Sequence, residues 1–272
     1  MKISIYTFVR NGIYYDFHVV DMLKHHLDFA DEIIVNEGYS SDGTYELITK
    51  ISPKIKVFRN RWDDSDPKSW SRKFKDTARR YCSGDWCILL DADEFIPEWE
   101  FDRIRKQLEN TDLLVFPLKY LNFYGNYKVL NTNPKKFKWP FIKYTVHRNI
   151  PNIEIWGDGS NVRVQGTDYE DKTIYGSILA EVHHFGFVRD PARLREKWRK
   201  QYLRNFKRKW DWLPGFLFRL FPHRWDDPYF LNDLEIYEGP YIRAVRENPQ
   251  EFVRDNFYLY RLLKEKKQQK KK

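Results

Sequence analysis

An unbroken apolar run, Trp86-Cys87-Ile88-Leu89-Leu90, lies between the turn residues Ser83-Gly84 and Pro97. A run of strand length without polar interruption predicts a strand buried on both faces of a parallel sheet. Lys2 to Val9 reads as an earlier strand, Ile33-Ile34-Val35 as a second and Ile55 to Arg59 as a third. Between these the period lengthens. Phe17, Val20, Leu23 and Leu27 fall on one helical face, a helix is predicted from Thr44 to about Lys50, and Trp70, Phe74, Ala78 and Tyr81 form a stripe stopped by Gly84. A further helix from Pro97 through Leu108 leads to a strand at Leu113-Leu114-Val115-Phe116. Strands alternating with helices predict an α/β fold built on a Rossmann-like, mostly parallel sheet flanked by helices. After Pro117 the pieces become shorter and aromatic-rich, which predicts a small antiparallel portion through about Ala180. From Arg193 onward the pattern is helical and basic, and it ends in a Lys-rich stretch, 264–272, predicted to be disordered.

The apolar run ends in Asp91-Ala92-Asp93-Glu94. If the strand continued, its alternation would point Asp91 and Asp93 the same way, with small Ala92 leaving room between them. Two carboxylates so placed repel each other unless a cation joins them, and Mg²⁺-like ions are commonly held by one or two carboxylates plus the phosphates of a substrate. Ligands of open α/β sheets also bind outside the carboxyl ends of the strands. The plainer reading is an acidic turn capping the helix after Pro97. The strand-end context favours a metal-nucleotide site.

Composition narrows the field only partly. A chain of 272 residues can bury one substantial core with a small extension. Aromatic content of 18%, with ten Trp, exceeds the needs of a core and fits a sugar, base or interfacial surface. The formal charge of +9 implies attraction to polyanions without choosing among them. Cys82 and Cys87 are the two cysteines, and both read as packing residues in a reducing compartment. The N-terminus enters a strand directly and no apolar run reaches transmembrane length, so the expected address is the cytosol or the cytosolic face of a membrane.

Two stretches resemble a known family. Glu32-Ile33-Ile34-Val35-Asn36-Glu37-Gly38-Tyr39-Ser40-Ser41-Asp42-Gly43-Thr44 is similar to the second-strand motif of family 2 glycosyltransferases, and Ser83 to Glu94 looks like their metal-binding strand. The resemblance implies a GT-A fold, spanning 1–192, with a nucleotide-sugar-binding half at 1–117 and an acceptor-side half at 118–192, followed by a basic aromatic helical extension at 193–263. It implies transfer of a sugar, of the hexosyl type, from a nucleotide-diphosphate donor with Mn²⁺ or Mg²⁺. By position, Thr7 and Phe8 would flank the base, Glu37 would face the base or ribose, Asp91 would lie near the ribose and Asp93 would bind the metal. Two departures leave the nucleotide open: relatives often carry Asp at the place of Glu37, and Arg-Asn where this chain has Lys75-Asp76. Val182-His183-His184-Phe185-Gly186-Phe187-Val188-Arg189 resembles a late His-aromatic-Gly segment of the catalytic domain, in which a His often completes the metal shell. His184 matches better than His183, and the alternative is a hydrogen-bonded core pair.

The reaction itself sets further requirements. Cleaving the anomeric bond puts negative charge on the departing diphosphate, which the metal on Asp93 would neutralise, with Lys143, Arg148 or Arg189 as possible supplements. Inversion, the commoner outcome in this fold, needs a carboxylate to take the acceptor proton. Asp158, set in Trp156-Gly157-Asp158-Gly159, is preferred over the cluster Asp168-Tyr169-Glu170-Asp171, although a turn-forming Asp is the plainer reading.

A glycan or lipid-linked acceptor is expected, in assembly of a surface polysaccharide or glycoconjugate. Trp198 to Trp225 mixes cations with aromatic and aliphatic residues, as a segment docking on anionic membrane would, or as an ordinary helix pair with snorkelling cations would. Two other classes were weighed. A nucleic-acid-binding protein would explain charge and aromatics but not the acidic strand tip. A nucleotidyltransferase would need a Gly-rich basic loop after the first strand, where this chain has Arg10-Asn11-Gly12-Ile13-Tyr14-Tyr15.

Overall fold

A computed structural model describes residues 1–62, 70–133, 141–157, 159–194, 196–197 and 231–269. Its first half alternates strands and helices: β1 (Ile3–Val9), α1 (Val19–His25), β2 (Glu32–Glu37), α2 (Thr44–Ile48), β3 (Ile55–Arg59), α3 (Trp70–Arg79) and β4 (Trp86–Leu89). β3, β2, β1 and β4 form a parallel block in that order. Every residue of β2 and β4 is buried, as the apolar run of β4 requires, and the polar Glu32, Asn36 and Glu37 of β2 are hydrogen-bonded inside. Helix α3 lies against β1 and β2 and sets Phe74 and Ala78 into the core.

The second half extends the same sheet. β5 (Glu94–Phe95), α4 (Phe101–Glu109), β6 (Val115–Tyr124), β7 (Asn126–Asn131) and β8 (Ile142–Arg148) follow, with a separate hairpin of β9 (Ile153–Trp156) and β10 (Asn161–Val164). Then come β11 (Ala180–Phe187), β12 (Leu234–Ile236), α5 (Arg243–Glu247) and α6 (Tyr258–Gln269). β8 joins β4 antiparallel, and β6, β7 and β12 continue outward, so the antiparallel part matches the parallel block in width. β4 is thus flanked by one parallel and one antiparallel neighbour.

Local chemistry explains where boundaries differ from the sequence reading. The helix expected from Pro97 begins with a 3₁₀ turn at Glu98–Glu100, because Pro97 sits at its cap with extended backbone. The strand expected to end at Phe116 runs on through Pro117, where the register with β8 shifts. Such an irregularity is where a residue lacking an N–H can sit in a strand. Residues 264–269, expected to begin a disordered tail, continue α6 to Gln269. Asp255 supports that helix by accepting from the amides of Phe257 and Leu259 and from Asn126. Nearly half of the basic aromatic extension, Trp198 to Trp225 included, lies outside the described residues, as does 270–272. No helix among the described residues is long and apolar enough to cross a membrane.

Histidines staple these layers together. His25 donates from Nε2 to the carbonyl of Ile96 at 2.8 Å, while the ring of His26 donates to Met22 and accepts from the amide of Ile96. His18 reaches the carbonyl of Val188, and His147 accepts from Tyr6 Oη at 3.1 Å. Burial pushes His18, His25 and His147 down to about 4 and His183 and His184 to about 3, and it also lowers His26. The unfolded chain binds these protons near pH 6.5 and the folded one resists them. The stability that depends on neutral imidazoles is therefore complete above pH 6.5 and is lost as the pH falls toward 4, by on the order of 1.4 kcal/mol per pH unit for each histidine. Urea midpoints should accordingly fall steeply between pH 7 and pH 4.5. A flat profile across that window would contradict the burial argument.

Candidate functional site

β4 stops at Leu89, so the acidic residues occupy a turn and strand alternation does not orient them. The turn is closed twice: the amide of Glu94 donates to the carbonyl of Asp91 at 3.1 Å, and the amide of Asp91 donates to Glu94 Oε2 at 2.9 Å. Glu94 is anchored from the antiparallel side by Lys143 of β8 at 2.6 Å and by Tyr120 Oη of β6 at 3.3 Å. The two aspartates consequently separate. Asp91 faces α3 and pairs with Lys75 at 2.7 Å, whereas Asp93 faces β11 and pairs with Arg189.

Exposure and charge distinguish the three acids. The Asp91 side chain is 30% exposed and Asp93 only 4%. Burial raises the carboxyl of Asp91, but Lys75 and Lys143 more than offset it and leave it below the ordinary value. Burial likewise raises Asp93, and Arg189 with His184 outweighs it, holding the group well below the carboxylate range. Glu94 ends above its ordinary value, because burial and the two neighbouring aspartates outweigh Lys143. Lys143 is itself raised, Glu94 and Asp91 overcoming its burial, so it stays charged.

Register explains how His184 arrives. β11 pairs antiparallel with β5 and parallel with β6, which puts His184 opposite both Glu94 and Asn122. Its Nδ1 donates to Asn122 Oδ1 at 2.6 Å, so the lone pair of the neutral ring is on Nε2. That nitrogen stands 3.7 Å from Asp93 Oδ1. A side chain at Gly186 would collide with His184 Nε2 and lie 3.3 Å from Asp93 Oδ2, so the bare glycine preserves the space beside both atoms. Ligand atoms of Asp93, Glu94 and His184 all lie within 4.8 Å of one another. Of the three, Asp93 and His184 fit a hard or borderline divalent ion well: neutral imidazole, ionised carboxylate, common orientation. Glu94 has both oxygens committed, Oε1 to Lys143 and Oε2 to the Asp91 amide and Tyr120 Oη. His183 faces elsewhere, packing its ring on Trp99 and Phe123 with Tyr237 Oη 3.3 Å from its Nε2.

The other expected residues have different surroundings. Thr7 is fully buried inside β1. Phe8 is half-buried, 5.2 Å from the Trp62 ring, with Lys75 Nζ 5.2 Å from its own ring centre. Glu37 is fully buried and accepts from the amides of Tyr39 and Ser40 at 3.1 and 2.5 Å and from Arg59 at 2.8 Å. It shapes the turn after β2, where the expectation had it facing a base or ribose. Arg148 lies opposite Trp86 at the start of β4, at the far end from Asp91, and stacks over the Trp86 ring. That position removes it from any diphosphate beside Asp93. Asp158 lies outside the described residues. Asp171 caps Thr173 in a local turn.

Sequence reasoning missed the braces. Lys75 joins Asp91 and also donates to the carbonyl of Gly159 at 2.9 Å, bringing the second half of the chain against α3. Trp62, whose ring forbids a side chain at Gly38, stacks on Phe74. The prior signal for Lys75 was its place in Lys75-Asp76, where relatives often carry Arg-Asn.

A family model described as glycosyl transferase family 2 matches residues 19–161, just over half of the chain. No curated protein sequence matches. Among solved structures, S. aureus TarS is similar at 16% identity with a TM-score of 0.47, over 76% of this chain and 40% of that one. The 1–349 piece of TarS in complex with UDP-GlcNAc is similar at 15% identity with a TM-score of 0.46, over 93% and 82% of the two chains. This chain therefore spans well under two thirds of the longer TarS chain. Likeness at that level says nothing of donor or acceptor.

The Glu94–Lys143 pair is nearly sealed from water, and removing one partner of such a pair strands the other. Lys143→Met should cost about 3–5 kcal/mol in urea unfolding, and adding Glu94→Gln should recover part of it. A loss within about 0.5 kcal/mol of zero, the range of an ordinary surface change, would contradict the brace.

Proposed function

The chain belongs to glycosyl transferase family 2, and from that premise we propose that it moves a sugar from a nucleoside-diphosphate donor to a hydroxyl of a glycan or glycolipid, with Mn²⁺ or Mg²⁺ held by Asp93 and His184. The observation that carries the metal reading is the pairing of Asp93 Oδ1 and His184 Nε2 beside bare Gly186. Membership sets aside the nucleic-acid-binding and nucleotidyltransferase alternatives. When bound, the ion supplies positive charge to the diphosphate as the anomeric bond breaks.

The remaining work falls to side chains. Asp91, the more open of the two aspartates, is suited to accept from the ribose hydroxyls, and the half-buried Phe8 offers a ring edge to the base. Lys75 keeps Asp91 ionised and holds the backbone at Gly159 close by. Asp158 is assigned as the carboxylate that takes the acceptor proton in an inverting transfer, since Gly157 before it, at positive φ with nothing within 4 Å of where a side chain would begin, leaves room for a substrate.

A thermal-shift panel of UDP, GDP, CDP and ADP, each with and without Mn²⁺, tests the site. One diphosphate should stabilise the wild type by several degrees only with metal, as a ligand near 100 times its Kd contributes about 2.7 kcal/mol. Asp93→Asn, which keeps the shape and removes the charge, should abolish the metal-dependent part. Equal shifts in both proteins, with or without metal, would refute this assignment.

A further inference from the structure

Arg189, one of the three cations expected to supplement the metal, sits in unusual surroundings. It is fully buried, yet among the described residues its Nε and Nη1 have no acceptor, while Nη2 holds Asp93 Oδ2. Its guanidinium carbon lies 3.6 Å from the centre of the Phe17 ring, which Lys197 Nζ approaches to 4.8 Å. Buried donors left without acceptors each cost free energy, so a native protein that keeps them has a use for them. Acceptors of matching geometry are the oxygens of a phosphate, which the planar fork of arginine engages in pairs.

Charge points the same way. Asp91, Asp93 and Glu94 face Lys75, Lys143 and Arg189, with Lys197, lowered to about 7 by burial, close by, so the carboxylates are already matched by cations. A divalent ion entering alone would bring two more positive charges into a site with little water to screen them, and would compete with Arg189 for Asp93. An ion bound to the diphosphate of a nucleotide sugar is neutralised by it, and with a free nucleoside diphosphate the complex is negative; either adds no positive charge and brings phosphate oxygens that can replace Asp93 as the acceptor of Arg189.

We propose that Arg189 serves as the resident counter-ion of Asp93 until a nucleoside diphosphate arrives, then turns its guanidinium to the diphosphate and yields Asp93 to the ion, so that metal and donor enter as one ligand. This rests on the reading of Asp93 and His184 as metal ligands. Arg189 is then a positioning residue in the donor-free protein and a diphosphate-binding residue in the loaded one. His184 Nε2 stands by Asp93 Oδ1, the oxygen Arg189 does not hold, while the space left bare at Gly186 adjoins Oδ2, which becomes available when Arg189 turns away.

The test is Mn²⁺ binding to the full chain, followed by electron paramagnetic resonance of the free ion, alone and with UDP, GDP, CDP or ADP in parallel. Wild type should bind Mn²⁺ weakly by itself and roughly five- to 150-fold more tightly with its diphosphate. Arg189→Met should bind Mn²⁺ alone more tightly than wild type and lose most of that enhancement. Arg189→Lys retains the charge and should keep metal-alone binding weak, which separates charge from folding damage. Wild-type affinity that ignores every diphosphate would overturn the exchange on its own, even if Arg189→Met failed to fold. Metal bound with diphosphate in wild type but with unchanged behaviour in Arg189→Met would sink the exchange and leave the metal ligands standing. No Mn²⁺ bound under any condition would sink both.

Discussion

The double closure of the Asp91–Glu94 turn is the interaction on which the rest of the site depends. Glu94 holds the amide of Asp91 and is held in turn by Lys143 and Tyr120, so the parallel block and the antiparallel half meet at one carboxylate. Because that turn replaces further strand, Asp91 and Asp93 diverge toward opposite partners. One acid is left open toward α3 and the other is drawn beneath β11. A flat strand end would have put both on one side and made them a simple pair of ligands.

Low water content makes each charge in this cluster consequential. Coulomb interactions that are weak at a surface grow severalfold where the effective dielectric is lower, so no carboxylate here can stand without a cation and no cation without a carboxylate. The protein meets this with lysines and an arginine from α3, β8 and the segment after β11, which come from distant parts of the sequence. Neutral His184 differs in kind: burial keeps its proton on Nδ1 against Asn122, and its other nitrogen is directed at Asp93. The cluster is therefore balanced for the arrival of an anion with its cation, and poorly suited to either alone.

Much of this was legible in the chain. The apolar run at 86–90 announced a central buried strand, and the acids that follow it marked the end of that strand as the candidate site. What the sequence hid was the point at which the strand stops, because Leu90 and Ala92 are as compatible with continuing as with turning. Glu37 misled for a similar reason: its carboxylate curls back to the amides of its own turn and to Arg59, contacts a motif comparison does not show. Among 48 lysines and arginines, Lys75 stood out only as a departure from a motif and Arg189 only as one of three candidate cations, since only folding brings Arg189 across 96 residues of sequence to Asp93. His184 became distinguishable from His183 through register, which set one ring toward Asn122 and the other toward Tyr237.

The central claim is that one divalent ion sits between Asp93 and His184 when a nucleoside diphosphate is bound. Crystals grown with Mn²⁺ and the stabilising diphosphate, measured at the manganese absorption edge, test it most directly. The account requires an anomalous peak within about 2.5 Å of an oxygen of Asp93 and of His184 Nε2, touching the diphosphate, with Arg189 no longer on Asp93. A bound diphosphate with no peak there, and Arg189 still paired with Asp93, would contradict it.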